Sequence, residues 1–177
     1  GASQRAATSS LVSLLESGMK GDALLVSSEH RRSKAGSRSE MLWGDAAGAL
    51  LLSHENVIAE CVAIETLSVD FVDHYRGEES DFDYDWEERW IRDEGYLKTI
   101  PLAVEKLINR AKISVEQIKH FVLPSDQART PGAVAKSIGI AQDAIVDNQI
   151  ASAGQGTLDT DDLKVSGLAC RTVFSVV

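Results

Sequence analysis

Cysteine is scarce in this sequence, and so are the features that mark membrane or secreted proteins. Cys61 and Cys170 are the two cysteines among 177 residues, too few for a disulfide framework or a four-cysteine zinc site. No apolar run approaches the roughly 20 residues of a membrane-spanning helix. The first ten residues, GASQRAATSS, lack the apolar region of a secretory signal. We therefore expect a protein of a reducing, cytoplasmic compartment with no membrane contact.

Basic residues are also in deficit, which argues against generic nucleic-acid binding. The net charge is −9, from 27 acidic and 18 basic residues. The negative charge is concentrated in residues 70–94, called the acidic segment below. This segment contains eleven acidic residues and three arginines, and its net charge is −8. We expect this segment at the surface, with Trp86 and Trp90 turned inward and the carboxylates outward. It would cap a substrate entrance or dock a partner that carries Lys and Arg.

The order of the predicted elements favours an α/β protein. Apolar periodicity predicts a first helix, 7–18, and a later one whose Thr99-Ile100-Pro101 start is followed by Val104 and Leu107 on one face. Thr130-Pro131 predicts the start of another helix, which Gly139 ends. Ser114 and Gln117 have capping-box spacing. The apolar run 22–28 is expected to be a buried strand, paired with 48–53 through the turn 44–48. The other predicted strands are 57–67, 120–124 and the tail 168–177.

The residue types that usually carry chemistry do not form a complete site. Asp81, Asp83 and Asp85 alternate, but a calcium-binding EF-hand loop would need Gly and Glu where Trp86 and Arg92 stand. The four histidines are scattered without metal-ligand spacing. Cys61 lies in the apolar run 57–67 and is expected to be a small buried hydrophobe, and Cys170 is interpreted in the same way. The sequence therefore predicts neither a metal site nor a bound cofactor.

Several stretches occur in the order found in one enzyme superfamily. SQRAATSSLVSLLESGMKGDALLVSSE is similar to a nucleophile helix and its following strand, and MLWGDAAGALLLS to a strand pair. FDYDWEERWIRDEGYLKTIPLAVEKLI and IKHFVLPSDQARTPGAVAKSIGI resemble the long helix and the histidine loop of the second half. Together these stretches resemble the thiolase superfamily, in its ketoacyl synthase III and hydroxymethylglutaryl-CoA synthase branch. Within that branch, the likeness is to members that work with a zinc-ribbon/OB-fold partner.

The resemblance implies a layered αβαβα fold with mixed sheets, of which this chain would be about half. Residues 1–54 would then be the end of the N-terminal half, with the nucleophile helix and the strand pair. Residues 55–177 would be the C-terminal half, with the acidic segment as an insertion. A missing half would leave a sheet edge or an apolar face exposed, so we expect a homodimer or a hetero-oligomer, with a zinc-ribbon/OB-fold protein as one candidate partner.

The resemblance also implies acyl transfer through a cysteine thiolate, with His and Asn as oxyanion donors. The matching positions differ here. Gln4 stands where the cysteine belongs, with Ser3 beside it, and Pro124, Ser125 or Asp126 stands where the histidine belongs. The Asn role falls to Asn148 or to the loop 153–156. The candidate catalytic residues are therefore Gln4, Ser3, Ser125 and Asn148.

Three hypotheses about function follow. The first is an enzyme that acts on acyl-CoA or acyl-carrier-protein thioesters with altered catalytic residues, by decarboxylation or retro-aldol cleavage. The second is a catalytically silent thiolase-fold subunit that scaffolds a partner. The third is an unrelated α/β domain. The first two imply no cofactor, since the thioester itself would be the substrate.

Overall fold

Helices and strands are mixed along the chain in a computed structural model, which describes residues 6–30, 32–42, 44–123, 125, 127–146 and 172–174. The helices are α1 (Ala6–Glu16), α2 (Arg38–Leu42), α3 (Glu88–Trp90), α4 (Leu97–Ala111) and α5 (Thr130–Ile138). The strands are β1 (Ala23–Glu29), β2 (Ala46–Leu52), β3 (His74–Tyr75), β4 (Tyr84–Asp85), β5 (His120–Val122) and β6 (Thr172–Phe174). This mixture confirms an α/β protein, whereas the αβαβα layering and the division at residues 54 and 55 remain predictions.

The first two strands pair as predicted, but they are not buried. β1 and β2 run antiparallel, with Leu24 opposite Leu51 and Val26 opposite Ala49. Residues on one face of such a pair alternate along each strand, so these side chains share a face. Leu24, Val26 and Leu51 are all more than 60% exposed. The expectation of a buried strand was wrong because α1, which lies against β1, contributes no buried residue of its own.

The strand predicted over residues 57–67 is wrong, since the described residues pair no strand there. Arg110, near the end of α4, holds this extended segment instead. Its guanidinium donates to the carbonyl oxygen of Ile64 at 2.6 Å and pairs with the carboxylate of Glu65 at 3.0 Å. The segment is therefore tied to a helix and not to a sheet, and Cys61, which was expected to be buried in the strand, is exposed.

The long helix that contains Thr99-Ile100-Pro101 begins earlier than this signal predicts. Glu87 caps it, because its carboxylate accepts from the backbone N–H groups of Arg89 and Trp90, both at 3.0 Å. The helix continues through a π-helical stretch, Ile91–Tyr96, directly into α4. Thr99 is buried inside it, and Pro101 lies in the helix interior. The Thr-Pro pair was misleading because the stronger cap lies twelve residues upstream.

The hydrophobic core is built where α4 and α5 pack over β5. Phe121 of β5 and Val134 of α5 are fully buried, and Ile100 and Val104 of α4 are 1% exposed. This confirms the predicted apolar face of α4. The rest of the core cluster comes from nearby residues, namely Leu107, Ile118, Leu123, Ala135, Ile140 and Ala144.

Local signals gave the right boundaries around this core. α5 starts at Thr130-Pro131 and ends at Gly139, whose φ of +87° is the left-handed conformation that glycine adopts without strain. Ser114 and Gln117 form the expected capping box. β5 pairs in parallel with β6, which confirms strand structure for the described part of the predicted tail strand, residues 172–174.

The tie between Arg110 and residues 64 and 65 predicts that removing the Arg110 guanidinium lowers stability measurably. Arg110→Met keeps the apolar stem but removes both contacts and leaves Glu65, whose side chain is 13% exposed, without its partner. We expect a loss of about 1 kcal/mol in unfolding free energy, typical of a partly exposed pair with one added hydrogen bond. Chemical denaturation measures it. Lys106→Met, on the exposed surface of the same helix, is the control, and equal losses in both variants would contradict the tie.

Candidate functional site

The structure describes one of the four candidate catalytic residues. Ser125 lies in the connection between β5 and α5, as predicted, and is 8% exposed. Gln4, Ser3 and Asn148 lie outside the described residues, as do Pro124, Asp126 and the loop 153–156. The geometry of the candidate site is therefore that of Ser125 and the residues that hold it.

Ser125 closes a short turn with Gln127. The backbone N–H of Gln127 donates to Oγ of Ser125 at 3.2 Å, while the Ser125 hydroxyl reaches the Gln127 carbonyl oxygen at 3.5 Å. Hydroxyl hydrogen bonds are usually 2.5–3.0 Å long, so the second contact is weak. The oxygen of Ser125 is thus engaged locally, whereas its O–H proton can turn toward another acceptor at little cost.

Gln127 is the residue that the sequence analysis missed. Its Oε1 accepts from the hydroxyl of Thr130 at 3.0 Å, and its Nε2 donates to the backbone carbonyl of Glu88 at 3.3 Å. This orientation of the amide satisfies both contacts, since the flipped one would place Oε1 against the Glu88 carbonyl oxygen, and neither oxygen can donate. Thr130 is fully buried at the start of α5. Gln127 therefore fastens the Ser125 loop to α5 and to the start of the long helix.

Asp73 organises the start of the acidic segment. Its carboxylate accepts from Nδ1 of His74 at 2.7 Å and from the Tyr96 hydroxyl at 3.4 Å. Its backbone carbonyl accepts from the N–H of Trp86 at 3.0 Å. The hydrogen bond from His74 lowers the pKa of Asp73, an effect that partial burial opposes and the charge of a protonated His74 reinforces. One half-buried carboxylate therefore connects the β3–β4 hairpin with the π-helical stretch.

The acidic segment differs from its predicted orientation. Trp86 and Trp90 are 46% and 39% exposed, so the expectation that they pack inward was wrong. Their rings lie 5.5 Å apart and contact other aromatic rings instead of the core. Asp83 is also not directed outward, since its side chain is only 5% exposed and faces Arg76 at 3.6 Å. Asp73 and Asp93 are partly buried, and the remaining carboxylates of the segment are exposed, as predicted.

Two further observations bear on chemistry. Within the described residues, no group of three or more His, Cys, Asp or Glu side chains is placed to hold a metal ion, and no helix is long and apolar enough to cross a membrane.

Partial burial raises the pKa of the Cys61 thiol, which keeps it protonated near neutral pH and makes it a poor nucleophile.

Comparison with known proteins identifies the class of fold. No protein-family model matches the sequence, and no curated protein matches it either. The structure is similar to the crystal structure of 3-oxoacyl-(acyl carrier protein) synthase III from Pseudomonas aeruginosa PAO1, with a TM-score of 0.59 and 22% identity. The match covers 80% of this chain and 47% of that one, so the chain spans about half the length of the synthase. The fold is thus thiolase-like, and at this identity the likeness establishes the fold alone.

The clamp around Gln127 predicts a coupling between two side chains. Gln127→Leu leaves the buried hydroxyl of Thr130 without its acceptor, which costs about 1–3 kcal/mol of unfolding free energy. Adding Thr130→Val removes that hydroxyl, so the double variant should recover much of the loss. Denaturation of both single variants and the double variant gives the coupling. Strictly additive losses would contradict the clamp.

The lowered pKa of Asp73 predicts a pH dependence of stability. Because the folded pKa is below the unfolded value, Asp73 stabilises the fold above about pH 4. This contribution is lost as the pH falls through the folded pKa. Asp73→Asn should therefore be less stable than the wild type at pH 7, with a smaller difference at low pH. Urea denaturation across this range tests it, with Glu105→Gln, an exposed substitution on α4, as control. A constant difference at every pH would contradict the assignment.

Proposed function

We propose that the chain is part of a protein that acts on acyl thioesters of coenzyme A or of an acyl carrier protein. The observation that carries the proposal is the thiolase-like fold, which extends over 80% of the chain. The sequence resemblance to the ketoacyl synthase III branch, found in the same order along the chain, supports it independently. The substrate class is inferred from these two likenesses together.

Condensation through an acyl-enzyme does not suit these residues. The proposed alignment places Gln4 where a cysteine would attack, and an amide cannot form a thioester. No histidine stands next to Ser3 in the sequence, where the first one is His30, and a serine hydroxyl without a base is a weak nucleophile. Residues 121–129 contain no histidine. We therefore propose a reaction that requires oxyanion donors and no covalent intermediate.

Decarboxylation of a malonyl-type thioester meets these requirements. The bond between the α-carbon and the carboxylate breaks, its electron pair forms the thioester enolate, and carbon dioxide leaves. A proton from water then converts the enolate into the acetyl thioester. Donors that face the enolate oxygen lower the barrier because negative charge develops there. Gln4 can supply an amide N–H, and Ser125 a hydroxyl that its long contact with the Gln127 carbonyl leaves available.

Retro-aldol cleavage is the second reaction of this type. It also passes through a thioester enolate, but a base must first take the proton of the β-hydroxyl group. Asn148 can donate to the enolate oxygen, yet an amide is no base. Decarboxylation needs oxyanion donors but no base, so we propose it as the main reaction.

We expect no acyl-enzyme when the chain is incubated with acetyl-CoA or malonyl-CoA, as measured by intact-mass spectrometry. Conversion of malonyl-CoA to acetyl-CoA, followed by chromatography, is expected without a covalent adduct. Ser125→Ala should slow this conversion about 100-fold or more, as found for the loss of one oxyanion-hole donor. Ser137→Ala is the matched control, since its hydroxyl donates to the Val134 carbonyl within α5.

Other outcomes separate the alternatives. A stoichiometric adduct on Ser3, Cys61 or Cys170 would mean that the nucleophile is misplaced. A Gln4→Cys variant that gains an adduct would support the proposed alignment. No conversion of any thioester would favour the catalytically silent subunit.

A further inference from the structure

Five aromatic rings form a continuous group on the surface of the acidic segment. We call this group the aromatic surface; its members are Phe71, Tyr75, Tyr84, Trp86 and Trp90. The ring centroids of successive neighbours lie 4.6–6.0 Å apart, from Phe71 through Trp90, Trp86 and Tyr84 to Tyr75. All but Phe71 are at least 39% exposed. A contiguous exposed group of this kind is typical of an interaction site.

The geometry of the segment keeps these rings at the surface. Tyr75 and Tyr84 are direct partners across the β3–β4 hairpin, and the N–H of Trp86 bonds to the carbonyl of Asp73. Phe71 stacks on Trp90 at 4.6 Å with an interplanar angle of 20°. A Cβ on Gly95 would lie 2.5 Å from the Phe71 ring, so the glycine makes room for that stack. The rings are thus held in place before any partner arrives.

Unpaired carboxylates border the aromatic surface. The loop of the hairpin carries Glu78, Glu79 and Asp81, all exposed, and within the described part of the chain none of them forms an ion pair. Two of the three arginines of the segment already pair within it, Arg76 with Asp83 and Arg92 with Asp93. The charge of the loop is therefore available to a partner.

One arginine from elsewhere in the chain already pairs with a carboxylate of the acidic segment. Arg38 of α2 forms an ion pair with Glu88 at 2.5 Å. Next to it, the Ser39 hydroxyl donates to the carboxylate of Asp85 at 3.4 Å. The acidic segment therefore pairs with a guanidinium, and the carboxylates of the hairpin loop are available for others.

We propose that the aromatic surface and the hairpin loop dock an arginine-bearing segment of a partner protein. A guanidinium plane stacks on Trp86 or Tyr84, while its N–H groups donate to Glu78, Glu79 or Asp81. Lysine fits less well because its compact, strongly hydrated ammonium does not stack and donates from a single point. The charge of −8 also disfavours nucleic acid and anionic membranes. This inference does not depend on the proposed reaction.

The test uses two fluorescent peptides of equal charge, GRGRGRGRG and GKGKGKGKG, with binding to the full chain measured by anisotropy. We expect the arginine peptide to bind several-fold more tightly, and both to bind more weakly as salt rises. Trp86→Ala should remove most of the preference for arginine, and Tyr84→Ala should reduce it. Equal affinity for both peptides, or an unchanged preference in both variants, would overturn the proposal.

Two triple variants distinguish the effect of the hairpin-loop carboxylates on binding from the effect of the net charge of the chain. Glu78→Gln/Glu79→Gln/Asp81→Asn should weaken binding of the arginine peptide about fivefold, as expected for the loss of a few exposed ion pairs. Glu60→Gln/Glu105→Gln/Asp143→Asn removes the same charge from other exposed positions and should change affinity less than twofold. Equal losses in both triple variants would overturn the proposed site.

A second copy of this chain is the competing occupant, because residues 32–38 carry Arg32, Lys34 and Arg38. Light scattering of the wild type and of Arg32→Gln/Lys34→Gln distinguishes it. If self-association is lost in both Arg32→Gln/Lys34→Gln and Trp86→Ala, the aromatic surface binds a second copy of the chain. That result would overturn the proposal of a separate partner protein. Self-association that does not respond to Trp86→Ala, together with the expected peptide preference, supports the proposal.

Discussion

Burial of Phe121 between α4 and α5 is the constraint on which the candidate site depends. Phe121 is fully buried in the core cluster that also contains Ile100, Val104 and Val134, so β5 cannot shift without opening the core. The Ser125 loop leaves the end of β5 and returns at the buried Thr130. Both ends of the loop are therefore fixed by packing, and the amide of Gln127 fixes its middle.

The amide of Gln127 also links the Ser125 loop to the acidic segment. Gln127 bonds to the carbonyl of Glu88, and the side chain of Glu88 pairs with Arg38. The Ser125 loop, the start of the long helix and the connection between β1 and β2 are thus linked in a row. A partner that engages the acidic segment would bind next to residues that hold the proposed oxyanion donor.

Sequence reasoning succeeded where the determining contacts are local. The start and end of α5 and the capping box at Ser114 depend on neighbours within a few residues, so the pattern alone was enough. Residues 57–67 were misassigned because the apolar pattern does not reveal that Arg110, 46 residues from Ile64, binds the Ile64 carbonyl and the Glu65 carboxylate. Gln127 was missed for a similar reason, since Glu88 is 39 residues away. Trp86 and Trp90 were misplaced because periodicity identifies a shared face, but does not say whether that face meets the core or other rings.

The distribution of burial has a consequence for hydrogen exchange. In the parts of the chain for which burial is described, every buried hydrophobic residue falls within residues 91–144, whereas β1 and β2 are held by backbone hydrogen bonds and have an exposed apolar face. Backbone amides exchange slowly only where opening must disrupt packed side chains. The amides of α4, β5 and α5 should therefore exchange through global unfolding. Those of the β1–β2 ladder should exchange through a local opening that leaves Phe121 and the Ser125 loop in place.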